Sequence, residues 1–94
     1  MQIRSFRHKG LKRLWESGVK HGLPARLVSK LEAILHAIDE AKRIEEIGLF
    51  PGWRLHPLKG DRTGEWSVSV TGNFRLTFGL DGEVVTNVDL EDYH

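Results

Sequence analysis

The stretch WSVSVTGNFRLTFGL, residues 66–80, alternates twice between apolar and polar side chains. Alternation with a period of two is typical of β-strands with one buried face and one solvated face. Gly72 and Asn73 favour a turn between the two halves, so the stretch predicts an antiparallel hairpin. The expected inward side chains are Trp66, Val68, Val70, Phe74, Leu76, Phe78 and Leu80. The expected outward side chains are Ser67, Ser69, Thr71, Arg75 and Thr77.

A further strand is predicted directly after this hairpin. Asp81 and Gly82 form a strong signal for a two-residue hairpin turn. Residues 84–90 are rich in β-branched side chains, which favour a strand. Strict alternation predicts one shared face for Val84, Thr86, Val88 and Leu90. The second half of the chain is therefore predicted to be an antiparallel meander.

The first half of the chain has helical periodicity instead. Apolar residues recur every three or four positions up to about Ala41, which predicts an amphipathic helix. Pro24 precedes this stripe, where the first turn of a helix tolerates proline. A shorter stripe ends at Gly18, and glycine commonly terminates a helix. The longer stripe is Leu27, Leu31, Ile34, Leu35 and Ile38, and the shorter one is Leu11, Leu14 and Trp15.

Two short segments complete the predicted fold. Residues 1–6 favour a short first strand, and residues 44–47 favour a brief helical turn before the breakers in GLFPGW. Antiparallel sheets commonly have one covered face and one polar face. The predicted class is α+β, with two main N-terminal helices packed on one face of a twisted, mainly antiparallel sheet. Because a chain of 94 residues has room for one core, residues 1–94 are predicted to form a single domain.

The composition limits the class of protein. The chain has no cysteine, which excludes disulfides, thiolate nucleophiles and thiolate metal ligands. No apolar run approaches the roughly 20 residues that a membrane-spanning helix needs. The amino terminus lacks the apolar core of a signal peptide. These features predict a soluble cytoplasmic protein that does not act at a membrane.

Positive charge is concentrated in the first third of the chain. Residues 1–30 carry eight Lys and Arg residues against one Glu, a net charge of +7, whereas the remainder carries six against twelve acidic residues, a net charge of −6. This asymmetry favours a localised surface for phosphates over a general affinity for polyanions. A solvated helix surface is the ordinary alternative.

The polar face of the predicted sheet gathers groups that can handle a phosphate. If Leu55 points into the core, alternation puts Arg54 and His56 on the polar face, where Arg75 also projects. Lys59 follows closely enough to reach the same surface. The sequence ends in DLEDYH, and the last strand could bring three further residues beside them: Asp92, Tyr93 and His94.

These residues suit the cleavage of RNA by attack of its own 2′-hydroxyl on the adjacent phosphate. The reaction needs a base and an acid, and histidine titrates at about pH 6.5. It also needs cations for the charge that builds on the phosphorane oxygens, where arginine acts as a two-donor clamp and lysine as a point charge. No metal or cofactor is required. Nor is a metal site predicted, because three further histidines lack ligand spacing: His8, His21 and His36.

Each candidate also has an ordinary structural explanation. A strand histidine such as His56 commonly lies on the surface or makes a hydrogen bond, and Lys59 fits a solvated turn. Tyr93 could simply pack against its neighbours. Arg75 is less easily explained, because an arginine on a strand commonly covers other groups with its stem. The last residues could form a frayed tail, as chain ends commonly do.

The motifs together resemble the HigB-type toxins of the RelE/ParE superfamily, the plasmid maintenance killer group of bacterial toxin–antitoxin systems. The resemblance covers nearly the whole chain and is carried by SFRHKGLKRLWESG, LHPLKGDRTGEWSVSV, GNFRLTF and EDYH, in this order. It implies a RelE-like fold and a ribosome-dependent, metal-independent endonuclease that cuts mRNA in the ribosomal A site. It also implies a cognate helix-turn-helix antitoxin of the HigA type.

The resemblance further implies a role for each residue of the candidate site. His56 would transfer a proton, Lys59 would contact the phosphate or the transition state, and Arg75 would hold the scissile phosphate. Asp92, Tyr93 and His94 at the chain end would complete the site. His94 would be the second proton-transfer group, and Tyr93 would stack on or orient a nucleotide. Contacts to ribosomal RNA are expected from Arg7, Lys9, Lys12, Arg13 and Lys20. Many family members are strongly basic, so the net charge of +1 implies weaker or more localised docking.

Two other functions remain open at this point. Related ParE-type proteins share the fold and poison DNA gyrase, although such a poison has no evident need for proton-transfer residues beside a phosphate clamp. A non-enzymatic module that binds RNA or protein is the second alternative. Salt-dependent binding without any cleavage product would favour this module.

Overall fold

Two α-helices precede the meander in the computed structural model, which describes residues 1–93. Helix α1 spans Lys9–Ser17 and helix α2 spans Val28–Glu40. Helix α1 ends at Gly18, which has a left-handed φ of 69° and donates its N–H to the carbonyl of Leu14 at 3.0 Å. Short 3-10 turns cover Ala25–Leu27, Ile44–Leu49 and Gly60–Arg62. The predicted helices and their boundary at Gly18 are confirmed.

The strands form one sheet within the described residues. The strands are β1 (Gln2–Ile3), β2 (His56–Pro57), β3 (Glu65–Ser69), β4 (Phe74–Asp81) and β5 (Val84–Asp92). Their spatial order is β1-β5-β4-β3-β2. Strand β1 runs parallel to β5, whereas the other neighbours are antiparallel. The sheet is therefore mainly antiparallel, as predicted.

The core lies between the helices and one face of the sheet. Four side chains of α2 are fully buried at helical spacing: Leu31, Ile34, Leu35 and Ile38. They belong to one cluster with Val68, Leu76, Phe78, Val85 and Val88 of the sheet. Complete burial of such a side chain contributes about 1.5–3 kcal/mol. The α+β class, with helices on one side of the sheet, is confirmed. No helix within residues 1–93 combines the length and apolar character of a membrane span.

The predicted face of the last strand is wrong for its first half. Leu80 pairs with Val85 and Leu76 with Leu90, so Val85 and Leu90 share the core side although five positions separate them. A β-bulge causes the change, because β5 advances by three residues while β4 advances by two. Asn87 lies in this bulge with a left-handed φ of 53°. Before the bulge, Val84 and Thr86 therefore face away from the core, and Val85 faces it.

The opposite face of the sheet is polar, but its centre is not solvated. Ser67 and Thr77 were predicted to point outward, yet each side chain is only 1% exposed. They pair directly with one another across β3 and β4. The hydroxyl of Thr77 donates a hydrogen bond to the carboxylate of Glu91 on the neighbouring strand. The polar face therefore carries a packed cluster instead of an open polar surface.

Candidate active site

Two cross-strand rows on the polar face hold the candidate residues. His56 pairs with Ser67 in the first row, and Arg75 pairs with Ser69 and Glu91 in the second. Neighbouring strands lie about 4.8 Å apart, and residues two positions apart along a strand lie about 7 Å apart. The backbones of His56 and Arg75 are thus separated by about 10 Å across the sheet and about 7 Å along it.

His56 presents one ring nitrogen to solvent. Its Nδ1 lies 2.9 Å from the carbonyl oxygen of Arg54. Because a carbonyl only accepts hydrogen bonds, this contact assigns the proton of the neutral ring to Nδ1. The Nε2 atom then remains an acceptor, as a general base requires. Ser67, which pairs with His56 in this row, is buried, and its hydroxyl has no hydrogen-bond partner among residues 1–93.

Arg75 and Tyr93 lie together on this face. The guanidinium carbon of Arg75 is 4.8 Å from the centroid of the Tyr93 ring, which is a cation–π distance. Tyr93 is 41% exposed, so its ring is accessible to a nucleotide. The structure thus brings together two of the residues that the sequence predicts for the site.

Glu91 holds Arg75 in place. The Nε and Nη2 atoms of Arg75 donate to Oε1 of Glu91 at 3.1 and 2.9 Å. Arg62 donates from Nη1 to Oε1 at 3.1 Å and from Nη2 to Oε2 at 2.5 Å. The hydroxyl of Thr77 donates to Oε2 at 2.8 Å. We call Arg62, Arg75, Thr77 and Glu91 the carboxylate cluster.

The cluster shifts the pKa of both of its principal ions. The hydrogen bonds from Arg62 are the largest cause that lowers the pKa of Glu91 from 4.5 to about 2, and Thr77 and Arg75 lower it further, although burial opposes them. The same hydrogen bond raises the pKa of Arg62 above its usual value, and Glu65 adds to the effect by accepting from Nη2 at 2.9 Å. Glu91 is therefore ionised at every pH at which the protein is expected to work.

The sequence interpretation missed Arg62 and Glu91. Alternation from Leu90, which lies on the core side, puts Glu91 on the same face as Arg75 and Tyr93, so a signal for Glu91 was present. Arg62 belongs to the Gly60–Arg62 turn, and its contact with Glu91 joins residues 29 positions apart. No local pattern predicts such a contact.

Neighbouring elements place two further predicted site residues, Lys59 and Asp92. Lys59 is exposed and immediately precedes the Gly60–Arg62 turn, beside β2. Asp92 pairs with Phe74, whose side chain packs against the core. Strand alternation therefore directs Asp92 to the side of the sheet opposite Arg75 and Tyr93. His94 lies outside the described residues.

A cavity of about 280 Å³ adjoins Tyr93 on the polar side. Arg54 and Ser69 line it together with Tyr93. Arg54 has a left-handed φ of 49°, which is uncommon for a residue with a side chain and occurs often at functional sites. Sequence alternation put Arg54 on this face but gave it no role.

The predicted ribosome-binding residues lie in a different region. Lys9, Lys12 and Arg13 are exposed on α1, whose Leu11 and Leu14 are buried in the core. Arg7 and Lys20 are exposed on either side of the same helix. These residues lie on the helical side of the sheet, whereas the carboxylate cluster lies on the other side. Within residues 1–93, no group of three or more His, Asp or Glu side chains is arranged to hold a metal ion.

Comparison with known proteins relates this arrangement to one family. The family model described as a RelE-like toxin of the type II toxin–antitoxin system HigB matches residues 4–94. A curated relative, "Endoribonuclease HigB" from Proteus vulgaris, is 47% identical over 92 residues, covering 98% of this chain and 99% of the relative. Similar solved structures include a "YoeB/ParE toxin" from Agrobacterium tumefaciens, with a TM-score of 0.64, 16% identity and complete coverage of both chains. The "YoeB dimer" from Staphylococcus aureus has a TM-score of 0.61 and 19% identity over 100% of this chain and 97% of that chain. The fold and the nearly complete match to the family model establish that this chain belongs to the HigB family of RelE-like toxins.

Proposed function

We propose that this toxin is a ribosome-dependent endoribonuclease that cuts mRNA in the ribosomal A site and so inhibits translation. One observation carries the proposal: the His56 Nε2 acceptor and the Arg75–Tyr93 pair occupy neighbouring rows of one sheet face. Such a surface suits an RNA strand, because arginine binds the phosphate and an aromatic ring stacks on a base. The relative from Proteus vulgaris is itself named an endoribonuclease.

The proposed reaction is a proton-coupled transesterification. A base takes the proton of the 2′-hydroxyl, and the 2′-oxygen attacks the adjacent phosphorus. The bond from phosphorus to the 5′-oxygen breaks, and an acid supplies the proton that the leaving oxygen needs. The products are a 2′,3′-cyclic phosphate and a free 5′-hydroxyl. The step transfers no electrons to an outside acceptor and consumes no co-reactant.

The site residues divide this work between proton transfer and charge stabilisation. His56 and His94 form the proton-transfer pair, and such groups typically contribute about 10²- to 10⁴-fold in rate. Arg75 binds the scissile phosphate, and Lys59 reaches the charge that develops on the phosphorane oxygens. Tyr93 stacks on a nucleotide, whereas Asp92, which strand alternation directs to the other face, receives no role. The mechanism requires no metal ion.

The small size of the protein explains why a ribosome is needed. The described residues measure 30 × 29 × 26 Å, so the protein can enclose only a small part of an RNA strand. A larger body must therefore present the message. Five exposed cations on the helical side supply contacts to ribosomal RNA while the polar face meets the message: Arg7, Lys9, Lys12, Arg13 and Lys20. Since ribosomes lie in the cytoplasm, the protein acts there.

The proposed regulatory partner is a cognate antitoxin. The family description assigns its members to type II toxin–antitoxin systems. We propose a helix-turn-helix antitoxin of the HigA type that binds the toxin and prevents it from engaging ribosome and message.

The decisive experiment compares free mRNA with mRNA on programmed ribosomes. Purified protein should cut the message only in the presence of ribosomes, and EDTA treatment of the toxin before mixing should leave the cutting unchanged. His56→Ala and Arg75→Lys should each lower the rate at least tenfold while the protein stays folded. His36→Ala is the matched control, because this side chain is 71% exposed on α2 and should change nothing.

Three results would contradict the proposal. Equal cutting of free and ribosome-bound RNA would remove the ribosome from the mechanism. Full activity of both site variants would refute the site. Altered DNA supercoiling with intact messages would favour a gyrase poison instead.

A further inference from the structure

Glu91 accepts hydrogen bonds from both Arg62 and Arg75. Its side chain is 20% exposed and accepts five hydrogen bonds. Two come from Arg62, two from Arg75 and one from Thr77. A carboxylate has about four lone-pair positions, so its acceptor capacity is filled. The carboxylate therefore cannot rotate without losing several contacts.

The contacts of Arg75 leave a defined edge of its guanidinium available. A guanidinium has five N–H donors, arranged along a side edge (Nε and Nη2) and an end edge (Nη1 and Nη2). Glu91 takes the side edge, because Nε and Nη2 both donate to its Oε1 atom. The end edge points away from Glu91 and has the two-donor geometry that fits a phosphate. The Tyr93 ring covers one flat face of the same group at 4.8 Å.

Arg62 keeps the carboxylate ionised and oriented. Its Nη1 and Nη2 atoms reach separate oxygens of Glu91, which is a two-point contact with defined geometry. Glu65 lies next to the cluster and also pairs with Arg62. The two arginines and the two glutamates together carry no net charge. The cluster therefore fixes the direction of Arg75 without adding to the positive potential at the site.

We propose that Glu91 is a positioning residue for RNA cleavage, with Arg62 as its support. Glu91 holds the side edge of Arg75, so that the end edge is presented to the scissile phosphate before the message arrives. This preorganisation lowers the cost of ordering a long, flexible side chain in the transition state. The inference rests on the ribonuclease activity proposed above.

Two other roles for Glu91 make different predictions. A carboxylate that merely occupies the phosphate position would be displaced by substrate, so its removal would tighten binding and raise turnover. If Glu91 only links β4, β5 and the Gly60–Arg62 turn, its replacement would lower the stability of the fold and leave turnover unchanged. Substrate affinity, turnover and unfolding therefore separate the three roles.

Glu91→Gln is the test variant, because glutamine keeps the size and one acceptor oxygen but loses the charge. Turnover on programmed ribosomes should fall about 10- to 100-fold, since misplacing a catalytic group by about 1 Å can cost about 10²-fold. Binding of a ribosome-bound message with a 2′-deoxy substitution at the cleavage position, which blocks cutting, should change less than threefold. Raised turnover, or a loss confined to binding, would overturn the inference.

Glu65→Gln is the matched control, because within residues 1–93 Glu65 accepts a hydrogen bond from Arg62 and none from Arg75. Arg62 retains both contacts to Glu91 in this variant, so turnover should change less than threefold. Equal losses of turnover in Glu65→Gln and Glu91→Gln would show that any disturbance of the cluster suffices, and this outcome would overturn the role of Glu91.

A measurement without ribosomes tests the geometry directly. The Nε–H signal of Arg75 in nitrogen-15 NMR should exchange with water faster in Glu91→Gln than in wild type, and at the wild-type rate in Glu65→Gln. Equal exchange in wild type and Glu91→Gln would overturn the inference whatever the activity. Failure of the proposed function would be seen separately, as wild-type protein that leaves ribosome-bound message intact, and that result would overturn both proposals.

Discussion

Replacing Glu91 with glutamine should remove much of the dependence of folding stability on pH between about pH 5 and pH 2. The carboxylate has a pKa of about 2 in the folded protein, because Arg62, Thr77 and Arg75 donate hydrogen bonds to it. In the unfolded chain these donors are lost, and the pKa returns to about 4.5. A lowered folded pKa stabilises the protein above the unfolded value. This stabilisation is lost as the pH falls from about 4.5 toward 2.

The magnitude follows from the size of the shift and from the exposure of the cluster. One pKa unit corresponds to about 1.4 kcal/mol, so the shift from 4.5 to about 2 sets an upper limit of about 3.5 kcal/mol. The side chains of Arg62, Arg75 and Glu91 are 20–30% exposed, and solvent screens their attraction. We therefore expect Glu91 to contribute about 1–2 kcal/mol at pH 7.

Urea unfolding at pH 7 and pH 2.5 measures this contribution. Wild type should be about 1–2 kcal/mol more stable than Glu91→Gln at pH 7, and the difference should largely vanish at pH 2.5. Glu32→Gln is the control, because Glu32 is exposed on α2 and makes no side-chain hydrogen bond among residues 1–93. A difference of the same size at both pH values would refute the electrostatic argument, since packing alone would then explain it.

Three smaller experiments test the fold by the same unfolding measurement. Ile34→Val should cost about 0.5–1.5 kcal/mol, because Ile34 is fully buried between helix and sheet, and no loss would contradict its place in the core. Gly79→Ala should cost about 1–3 kcal/mol, because a Cβ there would lie 2.8 Å from Oγ1 of Thr86. The loss should shrink in a Thr86→Ala background, and an equal loss in both backgrounds would exclude this contact as the cause. Gly18→Ala should cost about 1 kcal/mol, because its φ is 69°, and an unchanged stability would argue against a left-handed end of α1.

The regular parts of the fold could be predicted because their causes are local. The stripe of α2 and the alternation in β3 and β4 each repeat over several residues, and a repeated pattern reports which side is buried. The bulge in β5 could not be predicted in this way. Asn87 tolerates a left-handed backbone, but whether it adopts one depends on the pairing with β4. One inserted residue reverses the alternation for the residues before it.

Strand alternation predicted the part of the candidate site that lies on the strands. It put His56 and Arg75 on one face, and the structure has them in neighbouring rows. Alternation also directs Asp92 away from that face, although the sequence interpretation grouped it with Tyr93. The link between Arg62 and Glu91 depends on a turn folding back over the sheet. Such tertiary contacts have no signature in a single sequence.

The place of β5 in the sheet has a consequence for synthesis. It is the final strand in chain order, yet it lies in the interior between β1 and β4. Strand β1 (Gln2–Ile3) pairs with Val84 and Val85, so it cannot join the sheet until these residues have been synthesised. A nascent polypeptide that lacks these residues has neither a complete sheet nor Glu91 and Tyr93. The sheet and the carboxylate cluster are therefore completed by the same strand during synthesis.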